Sequence, residues 1–236
     1  MTAPIRVVIA DDQELIRLGF GLVLEAEDDI VVVGEAADGE EAVALCTARD
    51  PDVVLMDVRM PRLDGVAATA RIVAAAPRTR VLVLTTFDLD EYAFGALDAG
   101  ASGFLLKDID RAALVAAIRA VAAGDAVLSP RITREVLRRR VAGREPTPVR
   151  TDARVAAGVE ALTAREHEVF LAMAAGLTNA EIAATLFVSE TTVKTHVGRV
   201  LAKTGARDRI QAVILAHRGG WIDETTASQI RQSPAR

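Results

Sequence analysis

The sequence predicts a doubly wound α/β domain on a five-stranded parallel sheet, joined by a linker to a small all-α unit. Three observations predict it. Through residue 123, short apolar runs alternate with amphipathic stretches. Those runs are continuous Val/Ile/Leu segments, as in strands covered on both faces, rather than alternating ones. Beyond residue 158, apolar residues recur at helical spacing behind Thr and Ser residues that can cap.

The strands are predicted at 5–10, 30–36, 53–57, 80–85 and 103–107. Helices are expected between them near 13–25, 38–49, 65–75 and 90–99, with a last one at 110–123. Asp38 is placed to cap the second, with Glu41 three residues on. Residues 124–158 loosen into Pro, Gly and Arg without a clear period and read as a linker, with a possible helix at 130–141. Its Arg138-Arg139-Arg140 run reads as a solvated helix face rather than a contact to a nucleic-acid backbone. The helical unit is expected over 159–222, followed by a tail at 223–236. Thr163-x-x-Glu166 and Thr178-x-x-Glu181 are capping boxes, Gly176 stops the first of these helices, and Ser189 caps a third that runs to about Lys203. A fourth is expected around 208–218.

Composition narrows the function classes. Of 236 residues, 51% are hydrophobic and 26% charged, which suits buried cores rather than disorder. With only 3% aromatic, those cores must be mostly Val, Leu, Ile and Ala. Charged, Pro or Gly residues interrupt every apolar stretch well before about 18 residues, arguing against a membrane span. The amino terminus reaches a strand at once, without a signal-peptide pattern. The single cysteine, Cys46, lies in an Ala-rich helical pattern and reads as a buried small hydrophobe, which fits a cytoplasmic location. Three scattered histidines and one Cys disfavour a zinc site, and no P-loop is present. Residues 1–123 hold 11 Lys and Arg against 21 Asp and Glu, whereas residues 124–236 hold 17 against 12. An acidic half joined to a basic half suggests that the second meets a polyanion.

The chemistry-bearing residues sit where the strands end. Asp11 and Asp12 follow the first strand, Asp57 ends the third, Thr85 ends the fourth and Lys107 ends the fifth. In a parallel sheet these positions converge at the carboxyl edge, where open α/β folds bind ligands. Three carboxylates, a hydroxyl and an ammonium suit a divalent cation and a phosphoryl group. An aspartate can attack a phosphoryl donor to form an aspartyl phosphate. Repulsion between nucleophile and donor must then be neutralised by Mg²⁺ on carboxylates and by a cation such as Lys107.

Residues 1–123 resemble the receiver domain of two-component response regulators. The resemblance rests on Ala10-Asp11-Asp12, Asp57-Val58-Arg59-Met60-Pro61 with Asp64-Gly65, Leu84-Thr85-Thr86, and Gly100 to Asp108 (GASGFLLKD). It implies a flavodoxin-like sheet in the order 2-1-3-4-5. It also implies that Asp57 accepts the phosphoryl group, while Asp11, Asp12, Asp57 and the Arg59 carbonyl hold Mg²⁺. Thr85 and Phe104 match the hydroxyl–aromatic pair that rearranges on phosphorylation, and Lys107 the lysine that pairs with the phosphoryl group. Arg59 and Phe87 flank the acceptor and are expected to hinder an attacking water.

In the helical unit, Val193, Val197, Val200 and Leu201 share one face of the third helix, and Thr191, Lys194, Thr195, Gly198 and Arg199 the other. A short helix, a turn and a basic-faced helix form a helix-turn-helix, whose second helix enters the major groove. Leu162 to Glu166 (LTARE), Gly176 to Ala183 (GLTNAEIA) and Ser189 to Val197 (SETTVKTHV) closely resemble the LuxR-type DNA-binding domain. Together the two resemblances point to the NarL/FixJ class of response regulators. By that likeness Lys194 and Thr195 face bases or nearby phosphates, with Arg199 on the same face, and Thr178, Asn179 and Thr192 hydrogen-bond the DNA backbone. His196 matches the motif as either contact or packing. Ile210, Val213, Ile214 and His217 on the fourth helix are either a dimer surface, as in the family, or core.

The function these residues favour is a phosphorylation-gated transcription regulator rather than an enzyme with a separate substrate. Its partners would be a sensor histidine kinase, double-stranded DNA and, when phosphorylated, a second copy of the chain. A Mg²⁺-dependent phosphatase or phosphotransferase acting on small molecules is disfavoured, since no substrate cap or second catalytic acid is visible. The complete Asp/Asp/Thr/Lys set disfavours a constitutive regulator with a vestigial receiver.

Overall fold

The computed structural model of the chain describes residues 3–85, 91–125 and 153–232. The chain divides into two compact units, Met1–Leu128 and Ser129–Arg236. The expected helix at 130–141, the Arg138–Arg140 run and Phe87 lie outside the described residues.

In the first unit β1 (Ile5–Ala10), β2 (Ile30–Ala36), β3 (Val53–Asp57), β4 (Arg80–Thr85) and β5 (Gly103–Leu106) alternate with α1 (Glu14–Glu25), α2 (Gly39–Arg49), α3 (Gly65–Ala75), α4 (Glu91–Asp98) and α5 (Arg111–Ala122). The strands form one parallel sheet in the order β2-β1-β3-β4-β5. Every residue of β3 is buried, as the unbroken apolar run VVLM requires. Successive side chains of a strand point to opposite faces. Val7, Ile9, Leu55, Leu82 and Leu84 pack with Leu24 of α1 and Leu114, Ile118 and Val121 of α5. Helices α2 and α3 lie against the sheet as well, and α4 packs on α3. Asp38 caps α2 by accepting from Glu40 N at 2.7 Å and Glu41 N at 3.0 Å. Cys46 is buried, and burial pushes its thiol up to about 12, in keeping with an inert core residue.

Strand register aligns the edge. Ala10 pairs with Met56, so Asp11 stands level with Asp57. Asp57 pairs with Leu84, one residue short of Thr85, and Thr85 pairs with Leu106, one residue short of Lys107.

The second unit contains α6 (Ala153–Glu160), α7 (Ala164–Ala174), α8 (Asn179–Leu186), α9 (Glu190–Thr204), α10 (Arg209–Arg218) and α11 (Glu224–Gln232). Both Thr-x-x-Glu capping boxes are formed, and Ser189 caps α9. Its core joins Val169, Phe170 and Met173 of α7, Ile182 of α8, Val193, Val197 and Val200 of α9, and Ala212 and Ala216 of α10. Trp221 stands edge-on to Phe170, with ring centroids 6.2 Å apart.

Two helices lie where a linker and a tail were expected. Helix α6 carries Gly158 in its interior, which lowers helix propensity and hides the element from sequence reading. Packing supplies the stability instead. A Cβ on Gly158 would stand 2.2 Å from the Lys203 carbonyl oxygen, so only glycine lets α6 approach the α9 backbone this closely. Helix α11 offers few apolar positions, yet Ala227 is fully buried, Ile230 packs on the core, and Asp223 Oδ1 accepts from Thr226 N at 2.7 Å.

Candidate functional site

The carboxyl edge of the sheet brings Asp11, Asp12, Asp57 and Lys107 together. Asp11 and Asp57 are 1% and 5% exposed, whereas Asp12 is open to solvent. Lys107 Nζ lies 2.6 Å from Asp11 Oδ2 and 3.0 Å from Asp57 Oδ1 and so bridges the two buried carboxylates. Asp57 Oδ1 also accepts from Val58 N at 2.8 Å, and Asp11 Oδ1 accepts from Gln13 N at 3.0 Å. Burial raises the Asp57 carboxyl above its ordinary value; the Lys107 hydrogen bond and charge oppose the shift, and the Asp11 charge adds to it.

Local sequence explains why the crevice holds this shape. Gly65 N donates to Val58 O at 2.9 Å, and a Cβ on Gly65 would stand 1.9 Å from the Asp57 carbonyl oxygen. The Asp64-Gly65 pair therefore lets the start of α3 close onto the acceptor strand, while Asp64 Oδ1 caps α3 through Ala67 N at 2.8 Å. Arg62 pairs with Asp38 and with Glu41 Oε1, the latter at 3.0 Å, and ties the β3–α3 loop to the start of α2. Arg17, which sequence reasoning missed, donates through Nη1 to the Asp11 carbonyl at 2.8 Å. Its only sequence signal is its place one turn into α1.

Thr85 and Phe104 are both buried, Thr85 at the tip of β4 and Phe104 in β5, where it pairs in register with Val83. Lys107 N donates to the Thr85 carbonyl at 2.8 Å, which ties the two strand ends together. The Arg59 side chain is exposed.

Oxygens of Asp11, Asp12 and Asp57 all lie within 4.8 Å of one another. Around an octahedral Mg²⁺ neighbouring oxygens stand about 3 Å apart and opposite ones about 4 Å. Small side-chain rotations would satisfy that spacing, and three carboxylates outnumber the one ammonium beside them. The donor set, all oxygen, fits a hard divalent cation.

In the second unit the two faces of α9 separate as the spacing predicts. Val193, Val197 and Val200 are buried, and Thr191, Lys194, Thr195, Gly198 and Arg199 are exposed. Thr195 Oγ1 donates to the Thr191 carbonyl at 3.0 Å, which fixes its rotamer along the helix. Thr178 Oγ1 accepts from Glu181 N at 3.2 Å, and Thr192 N donates to Ser189 Oγ at 3.1 Å. Thr178 thus caps α8, and Thr192 stands in the first turn of α9 behind its Ser189 cap. A hydroxyl that accepts at a cap still carries its own O–H. Asn179, half-buried, opens α8. His196 is half-buried, and its buried Nδ1 has no hydrogen-bond partner among the described residues, which favours packing over contact.

Helix α10 packs against α7. Ile210 and Ile214 are buried, and His217 Nε2 lies 3.0 Å from the Ala174 carbonyl oxygen. Val213 is half-buried. Lys203, at the far end of α9, donates to Glu166 Oε2 at 2.6 Å and to the Ala161 carbonyl at 3.0 Å. The Lys203 bond holds the buried Glu166 carboxyl down at about 2. No helix among the described residues is long and apolar enough to cross a membrane.

Comparison with known proteins places both units. Residues 7–119 match the response regulator receiver domain family, and residues 160–216 match the luxR family of bacterial regulatory proteins. An uncharacterized transcriptional regulatory protein of Bacillus subtilis (strain 168), YxjL, is 46% identical over 218 residues, covering 92% of this chain and 97% of that protein. The transcriptional regulatory protein LiaR of the same organism is 40% identical over 220 residues, covering 93% and 100%. Among solved structures, the response regulator ChrA of a heme-sensing two-component system is similar with a TM-score of 0.50 and 35% identity, covering 94% of this chain and 100% of that one. A LuxR-family response regulator from Aurantimonas sp. SI85-9A1 has a TM-score of 0.54 and 37% identity, covering 59% of this chain and 99% of that one. The chain belongs to the DNA-binding two-component response regulators of the NarL/LuxR class, which join a receiver domain to a LuxR-type helix-turn-helix domain.

Proposed function

We propose that this response regulator takes a phosphoryl group from a sensor histidine kinase onto Asp57 and thereby changes how α9 engages promoter DNA. The observation that carries the reading is the Lys107 bridge between Asp11 and Asp57 at the sheet edge. An ammonium held between two buried carboxylates is positioned to follow charge as it moves from carboxylate to phosphoryl oxygen. In the transfer, an Asp57 carboxylate oxygen bonds to phosphorus as the donor's P–N bond breaks. Magnesium held by Asp11, Asp12, Asp57 and the Arg59 carbonyl would offset the repulsion between carboxylate and donor. Thr85 would donate its O–H to a phosphoryl oxygen, and Phe104 would move with it. Arg59 beside the acceptor would slow hydrolysis by crowding the attacking water.

On the output side, Lys194, Thr195 and Arg199 would meet bases and phosphates in the major groove. Thr178, Asn179 and Thr192 would bind the flanking backbone. Phosphorylated copies would pair on DNA as a homodimer. Incubation with a labelled acyl phosphate and Mg²⁺ tests the input directly. Label is expected on the wild type and none on Asp57→Asn; equal labelling of the two would overturn the assignment of Asp57.

A further inference from the structure

We infer that Arg209, on a helix that does not enter the groove, is a positioning residue for DNA because it sets which end of the Asn179 amide faces the backbone. The inference rests on the reading that Asn179 touches DNA. Arg209 opens α10, directly after its cap, Asp208, whose Oδ1 accepts from Gln211 N at 3.0 Å. From there its guanidinium reaches the start of α8. Arg209 Nη1 donates to Asn179 Oδ1 at 2.9 Å, and Arg209 Nη2 donates to the Leu177 carbonyl. The Thr178 backbone N–H holds the Glu181 carboxyl below its ordinary value, and the nearby Arg209 charge adds to that shift. One side chain of α10 thus binds two groups at the start of α8 and acts through its charge on a third.

The chemical consequence lies in the amide. A guanidinium has five N–H donors and no acceptor, so the only Asn179 atom it can bind is the oxygen. That bond fixes the amide with Oδ1 toward Arg209 and Nδ2 on the opposite side. DNA phosphate oxygens accept hydrogen bonds and donate none, so Asn179 can bind them only through Nδ2. A flipped amide would turn an oxygen toward the phosphate and replace attraction with repulsion. Arg209 therefore selects the one amide orientation that can bind DNA. Its bond to the Leu177 carbonyl anchors the guanidinium beside Asn179.

The test uses the full chain and a duplex that it selects from random sequences, with Arg209→Met, Asn179→Ala and the double variant. Arg209→Met and Asn179→Ala are each expected to weaken binding about tenfold, the scale of a hydrogen bond to a charged group. The double variant should bind no worse than Asn179→Ala, because the two residues act as one unit. A further loss in the double variant would overturn the inference. The salt dependence adds a second readout. An Arg209 acting through Asn179 leaves the slope of log K against log salt unchanged in Arg209→Met. An Arg209 that itself neutralises a phosphate would flatten the slope by about 0.9, which contradicts the inference. Arg209→Lys keeps a donor at this position and should recover most of the affinity; no recovery counts against it. If Arg209→Met does not fold, Asn179→Asp serves. Its carboxylate pairs with Arg209 and offers phosphate only acceptors, so it should bind more weakly than Asn179→Ala, and equal binding would overturn the inference. Asn179→Ala binding like wild type would instead remove the underlying DNA contact.

Discussion

The two ends of this protein solve opposite electrostatic problems. At the sheet edge, the side chains of Asp11, Asp57 and Lys107 are buried and held in short contacts. On α9, Lys194, Thr195 and Arg199 stand exposed in a row on a rigid helix. Covalent chemistry on a carboxylate benefits from charges fixed in a low-dielectric pocket, where each is worth several times its value in water. Recognition of a polyanion needs cations that stay solvated until counterions are released, so burial there would only add a desolvation cost.

If the α9 row reads DNA, the largest effect comes from its one lysine. Lys194→Ala should cost about 1–3 kcal/mol on a selected duplex if the residue meets a base edge. If it meets a phosphate, all sequences should weaken alike and the salt slope should drop by about 0.9. Unchanged affinity at physiological salt would break the assignment of α9 as the reading helix.

A smaller effect should mark the crevice. Mg²⁺ at ten times its dissociation constant should stabilise the receiver by about 1.4 kcal/mol, seen as a raised melting temperature. That increment should vanish in Asp12→Asn, and a persistent increment would show that the ion binds elsewhere. The smallest effect concerns Glu166, held at about 2 against an ordinary 4.5. A lowered carboxyl contributes stability that is present above pH 4.5 and is lost as pH falls toward 2. The helical unit should lose stability across that window, and Glu166→Gln should lose less of it. Parallel curves for the two proteins would remove the Lys203 bond from the account.

Much of this was legible in the residues themselves. Four of the five strands have the bounds their apolar runs predict, and β5 ends one residue earlier. The crevice was legible because strand ends carry its side chains and parallel register does the rest. Helix α9 was legible through its valines. What escaped depends on contacts remote in sequence. Helix α6 forms around a glycine that sequence propensity penalises, because the α9 backbone lies against it. Arg209 binds an amide oxygen and a carbonyl at the start of α8, far from it in sequence, and no local pattern announces such partners.

The central claim is that the buried crevice governs the exposed row, and DNA binding by the full chain tests it most directly. Affinity for one selected duplex should be measured with and without acyl phosphate, for wild type and Asp57→Asn. Acyl phosphate should tighten wild-type binding about 5- to 150-fold, the usual range of coupling between sites, and leave Asp57→Asn unchanged. Treated wild type and Asp57→Asn binding the duplex equally well would contradict the account.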